Sequence, residues 1–168
     1  TTAEEVVSWL NNTQSEIELV LRVYLFTPNA TTPYELTATL TTCQDDADEP
    51  NDDVASATPY TAPLVEQVLL ATNQDWYSIA VPDRELLTVD VSHVAADGDI
   101  DVEVQDDLGN VLGESLTTND IEQVEYFNTT GADRDVYVRV FFWGSSLSPC
   151  NTYDLAASVD PVSCPQDL

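Results

Sequence analysis

The 168-residue chain contains no lysine and no methionine, and its only basic side chains are Arg22, Arg84, Arg134 and Arg139. Against 31 acidic residues this leaves a formal charge of -27. Such a surface repels nucleic acid, whose binding needs basic groups to neutralise phosphates. It equally disfavours anionic membrane surfaces. There is one histidine, His93, and no H-E-x-x-H or G-x-S-x-G motif. Five glycines in all make a phosphate-cradling loop improbable. No apolar run approaches the roughly 20 residues of a membrane helix, so no membrane insertion is expected.

What remains is a chain with 43% hydrophobic residues, enough for a real core despite its acidity. Its attractive partners are cations or basic protein surfaces. It suits high ionic strength, where about 1 M salt shortens the screening length to roughly 3 Å, and a saline habitat is the corresponding expectation. Three cysteines and three N-x-[ST] sequons, at Asn11, Asn29 and Asn128, point to an extracellular protein. No signal peptide is visible at Thr1, so the chain reads as a mature segment of something longer.

Short alternating segments separated by turn residues predict strands throughout. The candidates are Glu4 to Leu10, Ile17 to Phe26, Tyr34 to Leu40, Val65 to Leu70, Trp76 to Val81, Leu86 to Val94, Asp99 to Gln105, Val111–Leu112, Val124 to Asn128, Val136 to Trp143 and Tyr153 to Val159. Asp52 to Ala57 has room for one helical turn capped by Asn51 or Asp52. No segment of ten residues shows helical periodicity. The expected class is all-β, a jelly-roll-like β-sandwich.

The end of the chain repeats its beginning. At an offset of 117, Glu5, Val7, Asn11, Thr13, Arg22 and Val23 match Glu122, Val124, Asn128, Thr130, Arg139 and Val140. After a slip of two residues, Tyr34, Leu36 and Ala38 match Tyr153, Leu155 and Ala157, and after another two Cys43 matches Cys164. The period of about 120 residues divides the chain into residues 1–42, the C-terminal half of a preceding sandwich; 43–160, a complete one; and 161–168, a linker or the start of a further repeat. Half a sandwich exposes an apolar face and open edges. Residues 1–42 are therefore expected to pack on neighbouring domains or on protomers of the same protein.

The densest acidic run is Cys43 to Asp53, where six of the nine residues from Asp45 onward are carboxylates. In order, Glu49-Pro50-Asn51-Asp52, Asp75-Trp76-Tyr77, Gly98-Asp99-Ile100-Asp101-Val102, Asp107-Leu108-Gly109, Val138-Arg139-Val140 and Tyr153-Asp154-Leu155 resemble the bacterial pre-peptidase C-terminal domain. The resemblance spans 43–160, and its second half reappears in 1–42. It implies a β-sandwich appended to secreted proteases or surface proteins, often in tandem, with collagenase collagen-binding modules among its relatives. It also implies Ca²⁺ at the N-terminal junction. Glu49, Asn51, Asp52 and Asp75 match that motif; Ala47 and Thr72 stand where the family has acids, with Asp46 or Asp48 as substitutes.

Among the cysteines, seven strand residues, about 23 Å, separate Cys150 from Cys164, too far for a bridge. Sandwiches joined end to end place Cys43 near Cys150, leaving Cys164 for a partner in the next unit; three free thiols are the alternative. Asp97, Asp99 and Asp101 form a second acidic group on a face read as solvent-exposed. Ser92 and His93 point to opposite faces of one strand, so His93 reads as structural. Arg22 and Arg139 are expected to face outward and pair with carboxylates, Trp76 and Trp143 to pack, and Phe141 to be the aromatic left for contact.

The functional expectation is a non-catalytic extracellular spacer or tether in a secreted or cell-surface multidomain protein, possible calcium stiffening included. The alternatives are a substrate-binding module of a secreted hydrolase, recognising an extracellular polymer, and a filament or surface-layer subunit completed by strands of a neighbour.

Overall fold

The structure, a computed structural model, describes residues 5–9, 11, 16–27, 30–40, 42–144 and 148–162. Among the described residues nine strands form two sheets: β1 (Thr58–Pro59), β2 (Leu64–Leu70), β3 (Asp75–Val81), β4 (Glu85–His93), β5 (Ile100–Gln105), β6 (Val111–Ser115), β7 (Ile121–Phe127), β8 (Arg134–Phe142) and β9 (Cys150–Pro161). One sheet runs β1-β3-β8-β5-β6 and the other β2-β9-β4-β7. All pairs are antiparallel except β1 with β3. This is the expected β-sandwich.

Alternation decides which face each strand buries. Val136, Val138 and Val140 on β8 are fully buried between Tyr77, Ile79 and Val81 of β3 and Ile100, Val102 and Val104 of β5. Across from them stand Leu87, Val89 and Val91 of β4, Val124 of β7, and Tyr153 and Leu155 of β9. Each such side chain contributes about 1.5–3 kcal/mol by leaving water. Gly113 lets β6 close over β7, since a Cβ there would lie 2.8 Å from a Val124 methyl.

Three expectations are corrected and one strand is added. Segment 52–57 is a turn, and its anchor is Asp53, whose Oδ1 accepts from the Ala55 and Ser56 amides at 2.9 Å. The parallel strand β1 was not foreseen; two residues carry too little pattern. Trp143 does not pack but is 57% exposed, because β8 ends at Phe142. The expected strands in residues 5–40 are absent among the described residues, whose large apolar side chains are exposed.

Candidate functional site

The acidic opening loop lies across one end of the sandwich and is tied down at several points. Cys43 is joined to Cys150, at the start of β9, with Cα atoms 6.0 Å apart. The Asn73 amide donates to Asp45 Oδ2 at 2.8 Å, and the Val68 N–H donates to Asp46 Oδ2 at 3.0 Å. The Trp76 N–H donates to the Asn51 carbonyl at 2.9 Å, which sets Asn51 beside Asp75 at the start of β3. Thr58 Oγ1 donates to the Asp48 carbonyl at 3.2 Å.

These ties bury oxygen atoms without giving them partners. Asp45 Oδ1, Glu49 Oε1, Asn51 Oδ1 and Asp75 Oδ1 are each inaccessible to water and accept no hydrogen bond among the described residues. Asn51 and Asp75 are completely buried. The second Glu49 oxygen accepts from the Asn51 N–H at 3.0 Å. The second Asp75 oxygen accepts from the Tyr153 hydroxyl at 2.6 Å, which also meets the Tyr77 hydroxyl at 2.6 Å. No basic residue occurs between Arg22 and Arg84, so the loop itself supplies no counter-charge. Burial, with the charges of Asp46, Glu49 and Asp45, pushes Asp75 up to about 8. Asp45 and Glu49 are raised for the same reasons, burial first and neighbouring carboxylates after.

An isolated buried carboxylate is costly, and a protonated acid or a bound cation relieves it. The oxygen-only donor set matches what Ca²⁺ takes. No three acidic, histidine or cysteine side chains among the described residues stand at metal-ligand spacing. The carboxylates of Asp45 and Glu49 act electrostatically on Asp75 but do not form an assembled shell. Of the sequence-derived candidates, Glu49, Asn51 and Asp75 contribute to this group. Asp48 contributes its carbonyl to Thr58, and Asp52 is exposed. Asp45 was missed: the loop's fold, not the spacing of a motif, turns it inward.

Asp52 lines an open cleft of about 540 Å³ with Thr72, Gln74, Arg139 and Phe141. The Arg139 guanidinium lies 4.2 Å from the Phe141 ring centroid and 5.9 Å from that of Trp76, and donates to Glu103 at 3.1 Å. Trp76 is buried, as expected, and Phe141 half-buried.

At the end of β4, His93 is buried and its Nε2 accepts the Ile100 N–H at 3.3 Å, a structural role. Ser92 is exposed on the other face. Asp101, expected on a wet face, is 1% exposed with neither oxygen bonded. Asn128 is fully buried, its amide donating to the carbonyls of Val81 and Ala132 and accepting from Thr130. In the folded domain Asn128 closes a loop and has no free amide for a glycan. Asn11 is exposed. Asn29 and Cys164 lie outside the described residues.

The fold and the loop thus define an all-β sandwich whose acidic opening segment is bridged to its last strand. No protein-family model matches the sequence, and no curated protein does. Among solved structures the chain is similar to the pre-peptidase C-terminal domain of collagenase from Bacillus anthracis, at 13% identity and a TM-score of 0.47, covering 61% of this chain and 92% of that one.

Proposed function

We propose that residues 43–160 are a non-catalytic extracellular repeat unit that spaces or tethers parts of a secreted or cell-surface protein. Calcium stiffens its entry loop. The supporting observation is the four buried oxygens without a partner among the described residues, on Asp45, Glu49 and Asn51 of a loop tied to β2, β3 and β9 and on Asp75 at the start of β3. A loop so held transmits orientation from whatever precedes it to the sandwich. Glu49, Asn51, Asp75 and Asp45 would hold the ion, whose charge replaces the missing counter-ion. The test is thermal melting with Ca²⁺ and with chelator. A rise in midpoint with Ca²⁺, removed by chelator and by Asn51→Ala, is expected; no shift in the parent chain sinks the calcium reading.

The Arg139–Phe141 stack beside the 540 Å³ cleft favours a second reading, an accessory module that binds an extracellular polymer. Retention on collagen, chitin or cellulose that Phe141→Ala abolishes would support it over the spacer.

A further inference from the structure

The sandwich shows what the repeated residues do. Val124, Val140, Tyr153 and Leu155 are 3%, 0%, 2% and 0% exposed; their counterparts Val7, Val23, Tyr34 and Leu36 are 86%, 51%, 68% and 57% exposed. Leu19 and Leu21 likewise stand where Val136 and Val138 fill the core. The match extends to the outer face. Arg139 stacks on the ring two residues ahead, Phe141, at 4.2 Å, and Arg22 stacks on the ring two residues ahead, Tyr24, at 5.4 Å.

The pairing scheme explains why the first segment stays open. In the complete sandwich β7 pairs with β4, β8 with β3 and β5, and β9 with β2 and β4. The last three strands never pair with one another. A segment equivalent to β7–β9 therefore cannot satisfy its own backbone or bury its own apolar face, however good its pattern. Nor can another copy of this chain complete it without loss, because there β2–β5 are already filled by that copy's own β7–β9.

We propose that residues 5–40 are the last three strands of a second sandwich, and that a strand set equivalent to β1–β6, lying ahead of residue 1 in chain order, completes it. This deepens the repeat reading above. Tyr34 then stands where Tyr153 donates to Asp75, and takes an acidic acceptor from the incoming third strand. Asn11 takes the loop-closing place of Asn128. Thr31 stands where Cys150 does after the first slip of register, so that sandwich has no equivalent of the Cys43 bridge.

The test adds the missing strands. A copy of residues 43–117 is fused directly ahead of residue 1, the junction that the offset of 117 dictates. Chymotrypsin is expected to cut the parent chain readily at Tyr24, Phe26, Tyr34 and Leu36. In the fused chain these cuts should slow by on the order of a hundredfold or more, because cleavage then waits on unfolding. Val23→Asp and Leu36→Asp should each restore cleavage. A fused chain whose residues 43–162 stay resistant while 5–40 is cut as fast as in the parent overturns the proposal. The unfused chain gives a second reading, by sedimentation and hydrogen exchange across concentrations. Monomers with unprotected 5–40 support the preceding set. Protection of 5–40 that rises with dimer formation overturns it in favour of exchange between copies. Both are read in chelator, so failure of the calcium reading leaves this result standing.

Discussion

The Tyr153 hydroxyl donates to Asp75 across the core at 2.6 Å, joining β9 of one sheet to β3 of the other beneath the acidic loop. Only one oxygen of Asp75 is used; the other is buried without a partner. The folded state therefore holds a proton on Asp75 up to about pH 8, well above the ordinary value of 3.8. A carboxyl raised on folding contributes stability fully present below its unfolded value and lost as pH rises through its folded value. Without divalent cations the melting midpoint should fall between about pH 4 and pH 8. Asp75→Asn should flatten that slope. Because Ca²⁺ competes with the proton, the midpoint rise it produces should be larger at pH 8.5 than at pH 6 in the parent and absent in Asp75→Asn. Melting curves at both pH values, with Ca²⁺ and with chelator, check this; a parent midpoint independent of pH contradicts the protonated Asp75.

The bridge from Cys43 to Cys150 spans 107 residues of sequence. Closing so long a loop removes much of the unfolded chain's freedom, worth about 2–4 kcal/mol in typical cases. Cys43→Ala should lower unfolding stability by that amount in denaturant titrations. It should also loosen the acidic loop. Hydrogen exchange at the Trp76 amide, which bonds the Asn51 carbonyl, should then accelerate more than exchange at β8. Equal acceleration at both would mean that the bridge acts on the sandwich as a whole.

Asn128 is held by both ends of its amide, and no shorter or charged side chain reproduces that. Asn128→Ala removes the donor to the Val81 carbonyl, one of two donors to the Ala132 carbonyl and the acceptor of the Thr130 amide, a loss of about 1–3 kcal/mol. Asn128→Asp keeps the acceptor but loses both donors and buries a charge, so it should cost at least as much. Urea unfolding of the two variants measures the difference. A glycan found on Asn128 by peptide mass mapping of folded secreted material would contradict the burial.

The strands of 64–161 were legible in the sequence because alternation is dictated locally: Val136, Val138 and Val140 announce a buried face whatever lies opposite. The same alternation in Leu19, Leu21 and Val23 is equally clear, yet residues 16–27 form no strand, because alternation marks which face a strand would bury and says nothing about whether a pairing partner is present. In the candidate site Glu49, Asn51 and Asp75 were legible through a motif. Asp45 was not, because its burial depends on Asn73, 28 residues away, reaching its other oxygen. Asp101 was misread for a related reason. Its place beside Ile100 and Val102 marks the outer face of β5, and alternation says nothing about whether that face is covered.

Asp101 carries the second pH dependence. It lies opposite Phe141 of β8, with both oxygens buried and unbonded. Burial first, then the charges of Asp99, Glu122 and Glu103, raise it to about 7. On this face of β5 Arg139 bonds to Glu103 and stacks on Phe141. As with Asp75, the raised value means that Asp101 supports folding below about pH 4 and ceases to do so as pH rises through 7. Asp101→Asn keeps the shape and removes the ionisation. It should be close to neutral at pH 4 and stabilise by about 1–2 kcal/mol at pH 8, after allowance for relaxation around the charge. Urea titrations of the parent and the variant at the two pH values give the comparison directly. A variant less stable than the parent at pH 8 would contradict the destabilising, unpaired Asp101 carboxylate.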